Sequence, residues 1–405
     1  TSEIMVNSMV DVASLNSLQL GVATGTVGSP TGVLDLRGST PLSGTFSCGA
    51  LSLGNLSGNG LLGTGQLYLN DDGGIITNLL IHGDFYYGSG TLALNTNCNI
   101  MLGSSTGAVN LTVGLKSTVT WAPSHQFSGF FGGKNVRVGI PDRTTGCNGT
   151  LDLRSAIVTQ AVFACNTLEL GGFTGNGFPG SGYLYLNDTN QTIQAMAVTN
   201  LWLRNGAITM NDGCDVAIGA ESNPGTAIIG YGRGTTEFKP AGDFSAYLST
   251  LTLGEQDANN RLPGVTGVLN LTNANVTALQ VSGQATLGYT TRKGAGRMYL
   301  GPGSVYFDKL AVGGTIPGSL LQVRGTELTV GNALTDTLSV TAINGQIVLD
   351  FSDSATQLKV YGDYTSSGPA TNLPTYVADG RIVVTNDLTQ KVMIYYRAPY
   401  TVVGK

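Results

Sequence analysis

The chain repeats itself with a period of about 117 residues, too long for a helical heptad and built from units too short to form separate cores. Phe46–Asp71 reads FSCGALSLGNLSGNGLLGTGQLYLND, and Phe163–Asp188 reads FACNTLELGGFTGNGFPGSGYLYLND. Cys48 and Cys165 share one repeat position, while Cys98 in TNCNIMLG and Cys214 in DGCDVAIG share another. A third, weaker copy runs through Gly267–Gly288 and Arg297–Gly314. Stacked units that contact only their neighbours fold this way, because a solenoid grows by adding coils rather than by starting a second core.

Within each copy, runs such as Leu51-Ser52-Leu53, Leu67-Tyr68-Leu69 and Leu92-Ala93-Leu94 place alternate side chains on one face, the signature of strands. Clusters of Gly, Asn, Asp and Ser break these runs and supply turn positions. Helical periodicity is nearly absent. The expected fold is therefore all-β, a right-handed parallel β-helix (β-solenoid) of three repeats with about five rungs in each. A β-sandwich in each repeat is the alternative, since about 117 residues is an ordinary domain size. Strands of only three to five residues favour rungs. The copies open at LQLG (Leu18–Gly21), VRVG (Val136–Gly139) and LTLG (Leu251–Gly254). These starts divide the chain into an apolar strand segment at 1–17, repeats at 18–135 and 136–250, a degenerate repeat at 251–345, and a capping or assembly segment at 346–405. One helical turn is expected over Leu373–Asp379, stopped by Gly380.

Charged residues make up 11% of the 405, well below the usual quarter or so. Hydroxyls and amides, rather than charges, wet such a surface. The formal net charge of −5 contains no basic block, so nucleic acid is not an expected partner. No run approaches 18 apolar residues, so no membrane span is expected. The chain starts at Thr1 without a charged, apolar leader, which suits a secreted protein whose signal peptide has been removed.

The cysteines bear on location. Counted from the glycine that ends each strand, the third copy has Ser282 and Thr326 where the first has Cys48 and Cys98. Both cysteines disappear together, which predicts disulfides Cys48–Cys98 and Cys165–Cys214 and an oxidising compartment. Buried free thiols lost independently are the alternative. Cys147 has no counterpart and is either free or paired with another subunit.

Few residues suggest chemistry. His82 and His125 occupy unrelated repeat positions without an acid–nucleophile pattern. Asp71 and Asp188 share one position after Leu-Tyr-Leu-Asn, where duplication favours turn capping over catalysis. Asn70-Asp71-Asp72 and Asn187-Asp188 also offer oxygen ligands for calcium, but the nonapeptide of calcium-binding β-rolls is missing. No other cofactor is expected. Trp121, Pro123, Phe127 and Phe130 match Phe238, Pro240, Phe244 and Tyr247, which reads as a plug at the junction between successive repeats; a sugar-binding patch is the alternative.

The recurring LTLG…GTGxLxL strings and the closing DFSDSATQLKVYGDYT…YVADGRI resemble bacterial secreted repeat proteins of the autotransporter-passenger and planctomycete or verrucomicrobial surface-protein type. The resemblance implies a parallel β-helix exposed on, or shed from, the cell surface, here as a processed subunit. Both ends carry β-prone apolar segments: Ile4, Met5, Val6, Met9 and Val10 at one, and Ile394, Tyr395, Tyr396, Tyr400 and Val402 at the other. Uncovered strands template pairing with another chain. The expected function is that of a non-enzymatic structural subunit of an extracellular filament or surface fibre, joined head to tail through these strands. Its expected partners are other copies of itself and a polysaccharide matrix. A carbohydrate-binding adhesin and a polysaccharide-degrading β-helix enzyme are the alternatives.

Overall fold

The computed structural model describes residues 2–5, 9–10, 15–22, 28–55, 62–115, 117–141, 146–173, 179–232, 234–255, 264–288, 293–313, 316–331, 340–342, 345–360, 379–385, 393–394 and 400–403. Among them there is no helix, and parallel strands stack as a β-solenoid of about 10 turns. The β-sandwich alternative is thereby set aside. The helical turn expected at Leu373–Asp379 falls almost wholly outside the described residues. The chain divides into two compact units, 1–196 with 206–211, and 197–205 with 212–405.

One coil of the first unit shows how the sequence makes a rung. Thr45–Asn55 supplies two faces in a single bent strand, pairing through Phe46 with Leu79 and through Leu51 with Phe85. The chain then turns at Gly54 and contributes its third face as Thr64–Tyr68. Side chains that alternate inward stack on their equivalents in the next coil. The row Leu18, Leu51, Phe85, Leu111, Val136, Leu168 runs straight through the first unit, and all but its outermost member are buried. Each such side chain contributes on the order of 2 kcal/mol by leaving water.

That row also corrects the rung count. From Leu18 to Val136 the register advances through four coils, not five. Two long coils with extended turns are followed by two short ones, and the repeat is this set of four. Even spacing of strand signals along the sequence hid the difference in turn length.

The glycine closing each LxLG run sits at a corner that no other residue can occupy. Gly139 has φ +67°, and a Cβ there would overlap the carbonyl of Ser181 on the next coil. In the second unit Gly254, at φ +73°, meets Ala295 in the same way. Left-handed backbone together with that close approach demands glycine.

The predicted disulfides are not formed: Cys48, Cys98, Cys165 and Cys214 are buried free thiols. Register explains the first pair. Cys48 stacks with Ile81 and Leu102, whereas Cys98 precedes Asn99, which stacks with Asn78 and, beyond it, Thr45. The two cysteines are thus two rungs and four residues apart, roughly 16 Å by strand geometry. A disulfide spans at most about 7 Å between Cα atoms. Cys165 belongs to the first unit and Cys214 to the second. Cys147 is buried as well.

Candidate functional site

Two places carry groups that the fold itself does not use: the outermost coil at the N-terminus, and a groove on the second unit. The N-terminal coil comes from residues that continue the core rows. Ser2–Met5 pairs parallel with Thr31–Asp35, Met9–Val10 with Thr40–Pro41, and Leu15–Val22 with Thr45–Asn55. Among the described residues none of the three has a strand on its other side. Ile4 extends the inward row of Leu34 and Leu67, yet it is 63% exposed, with no described strand stacked beneath it. Met5 is 60% exposed, and Leu15 and Leu42 are exposed nearby in the same terminal coils. Val6 lies outside the described residues.

The other end is closed differently. Tyr400–Val403 runs antiparallel to Gln357–Val360, setting Val402 against Leu358 and Tyr400 against Val360. Met393–Ile394 pairs antiparallel with Val402 and Val403. These β-prone residues are therefore engaged within their own chain, reversing the strand direction of the coils. Tyr395 and Tyr396 lie outside the described residues. Ile382–Thr385 pairs with Gly345–Asp350 and, among the described residues, is the last strand of its sheet.

Several candidates from the sequence are structural. Asp71 accepts hydrogen bonds from the backbone of Gly73, Ile75 and Ile76 and from the Asn95 amide. Asp188 does the same with Thr192, Ile193 and Asn211. Burial pushes each carboxyl upward, but these donors together outweigh it and hold both below the ordinary aspartate range. Both carboxylates thus serve as turn caps, while the neighbouring Asn70 and Asn187 each bury a side-chain Oδ1 that has no hydrogen-bond partner. Trp121, Phe127, Phe238 and Phe244 are buried. Trp121 packs edge-on against Phe85 at 4.9 Å and Phe127 at 5.7 Å, which takes these four rings off any sugar-binding face, whereas Phe130 and Tyr247 are only partly buried. His82 shares a 3.1 Å hydrogen bond with the buried Ser47, and His125 one of 2.7 Å with Asn99, at separate positions. Burial drives the thiols of Cys48, Cys98 and Cys214 up to about 11 and that of Cys165 to about 12, so none is a thiolate nucleophile at neutral pH.

The groove was not legible in the sequence as a site. It measures about 620 Å³ and opens on the face built by Gly294–Leu300, Ser319–Arg324 and Gly345–Asp350. Arg297, Tyr299, Ser319, Leu320, Gln346 and Arg381 line it. Arg297 donates through Nε to the Gly318 carbonyl at 3.2 Å, and Arg381 pairs through Nε with Asp379 at 2.9 Å. In the sequence Arg297 merely follows Arg292 and Lys293 in a short cationic stretch. Its partner Arg381 lies 84 positions away, and only coil register brings the two together.

No described helix is long and apolar enough to cross a membrane. Among the described residues, no group of three or more His, Cys, Asp or Glu side chains is placed to hold a metal ion. Compared with known proteins, the chain matches no family model, no curated protein and no solved structure.

Proposed function

We propose that the protein is a non-enzymatic structural subunit of an extracellular filament or surface fibre, and that its N-terminal coil is the joining surface. The observation that carries this reading is Ile4, a core-row side chain left open to solvent beside three strands with free backbone edges. Parallel coils have chemically distinct ends, so end-to-end contact is heterologous and continues indefinitely instead of closing as a two-fold dimer. The fitting occupant is a second copy presenting the outer edge of Ile382–Thr385. That strand runs parallel to its neighbours, as Ser2–Met5 does, so strand addition keeps one direction throughout. The antiparallel Tyr400–Val403 hairpin leaves this edge as the growing surface and caps Gln357–Val360 beside it. Buried free thiols do not require an oxidising compartment, so the extracellular location rests on the resemblance of the repeats and on the weakly charged surface.

Electron microscopy of the full chain beside a version lacking residues 1–16 tests this reading. Filaments from the full chain and isolated particles from the shortened one are expected. An Ile4→Lys, Met5→Lys variant should behave like the truncation while keeping its β circular dichroism. Isolated particles from all three would overturn the proposal.

A further inference from the structure

In each repeat one tyrosine projects from the same position of the same face, and in two of the three an arginine covers it. Asp35 pairs in register with Tyr68, and Asp152 with Tyr185. Two residues on, Arg37 bonds back to Asp35 and lies 4.0 Å above the Tyr68 ring. Arg154 bonds to Asp152 and covers Tyr185 at the same 4.0 Å. The matching segment of the third repeat, GVLNLT against GVLDLR and GTLDLR, has Asn270 and Thr272. The local turn survives: the Thr272 backbone donates to the Asn270 side chain at 3.3 Å, as Arg37 and Arg154 donate to Asp35 and Asp152 at 3.0 Å. The guanidinium is gone. Tyr299, in register with Asn270, is only partly buried, and no described arginine lies over its ring. Instead it lines the groove with Arg297 and Arg381.

We propose that this groove binds a carboxylated polysaccharide, with a sugar ring stacked on Tyr299 and carboxylates held by Arg297 and Arg381. Register sets the two arginines in one row, Arg297, Leu320, Gln346, Arg381, on successive strands. Three strand spacings separate them by about 14 Å along the coil axis. That span suits a chain bearing repeated carboxylates better than one small anion, which a single guanidinium would satisfy. Between them Leu320 offers an apolar surface and Gln346 an amide, a mixture suited to the faces and hydroxyls of sugars. Among the described residues that line the groove Arg297 and Arg381 are the charged ones, and Asp379 pairs with Arg381, so the groove is locally cationic on a chain of net charge −5. Nucleic acid is disfavoured because its affinity comes from many phosphate contacts at once.

The site lies within one chain, so its test is independent of filament formation. Calorimetric titration of the full chain with polygalacturonate, dextran and polyglutamate separates ring from charge. Polygalacturonate should bind at least about tenfold more tightly than either control, and more weakly as salt rises. Tyr299→Ala should cost about tenfold, the scale of an aromatic stacking platform, and Arg297→Gln or Arg381→Gln a similar factor. The sharper variant is Asn270→Asp with Thr272→Arg, which restores the pair that folds in the other two repeats. It leaves the net charge unaltered yet covers Tyr299, so stacking predicts weaker binding and simple charge attraction predicts no change. Equal affinity for polyglutamate or dextran, unchanged or tighter binding by the restored variant, or no binding of polygalacturonate would each overturn the proposal.

Discussion

The first two repeats and the third share a coil but not its polar fittings. All three keep the inward apolar rows and the left-handed corner glycines, Gly21, Gly139 and Gly254 among them. Only the first two carry the buried Asp–Asn clamp, Asp71 with Asn95 and Asp188 with Asn211. Only they carry the Asp–Arg pair laid over a tyrosine. Apolar stacking and corner geometry are thus the minimum that defines a rung, and the side-chain clamps are additions that can be dropped. Where they are dropped, side chains they would have occupied become available to a ligand, as at Tyr299.

Breaking the clamps should therefore destabilise the repeats that have them, in proportion to what each satisfies. Asp71→Ala or Asp188→Ala leaves buried N–H groups without an acceptor and should cost about 2–3 kcal/mol, read as a loss of denaturant midpoint. The folded carboxyls lie below the unfolded value of about 3.9, so they stabilise the fold above that pH. The contribution fades as pH falls through the folded value. The difference between wild type and either variant should shrink accordingly when measured below about pH 4.

A smaller loss is expected at the surface. Arg37→Ala and Arg154→Ala remove half-exposed guanidinium groups from their tyrosines and should each lower the denaturant midpoint by less than Asp71→Ala or Asp188→Ala does. If either change alone unfolds its repeat, the clamps are not additions to the rung but part of it. Smallest of all is the effect of reductant. With free thiols, dithiothreitol should leave the melting temperature unchanged, and a thiol reagent should label the five cysteines only after unfolding. A fall in melting temperature would mean that bridges exist after all.

Several of these features were legible before the fold. Alternation in LxL runs and their closing glycines located the rungs, and duplication of Asp71 and Asp188 identified turn caps rather than a catalytic pair. Burial of Trp121 and Phe238 followed from their recurrence at one repeat position. The cysteines misled for a related reason. Joint loss in the third repeat shows that two residues share an environment class, here the buried interior, and carries no information about the distance between them. The two terminal segments read as equally adhesive, yet Tyr400–Val403 turns back on its own chain while Ile4 is exposed.

Period, strand alternation and corner glycines are local properties, dictated by φ, ψ and the choice of buried faces, and the amino-acid sequence determined them unaided. Register is not local. It depends on how many residues each turn absorbs before the next strand pairs, and four coils per repeat emerge only once long and short turns are in place. Register alone separates Cys48 from Cys98, and it sets Arg381 in line with Arg297. Whether a strand ends paired or exposed is likewise decided by what stacks on it, which is why only the tertiary structure distinguished Ile4 from Tyr400.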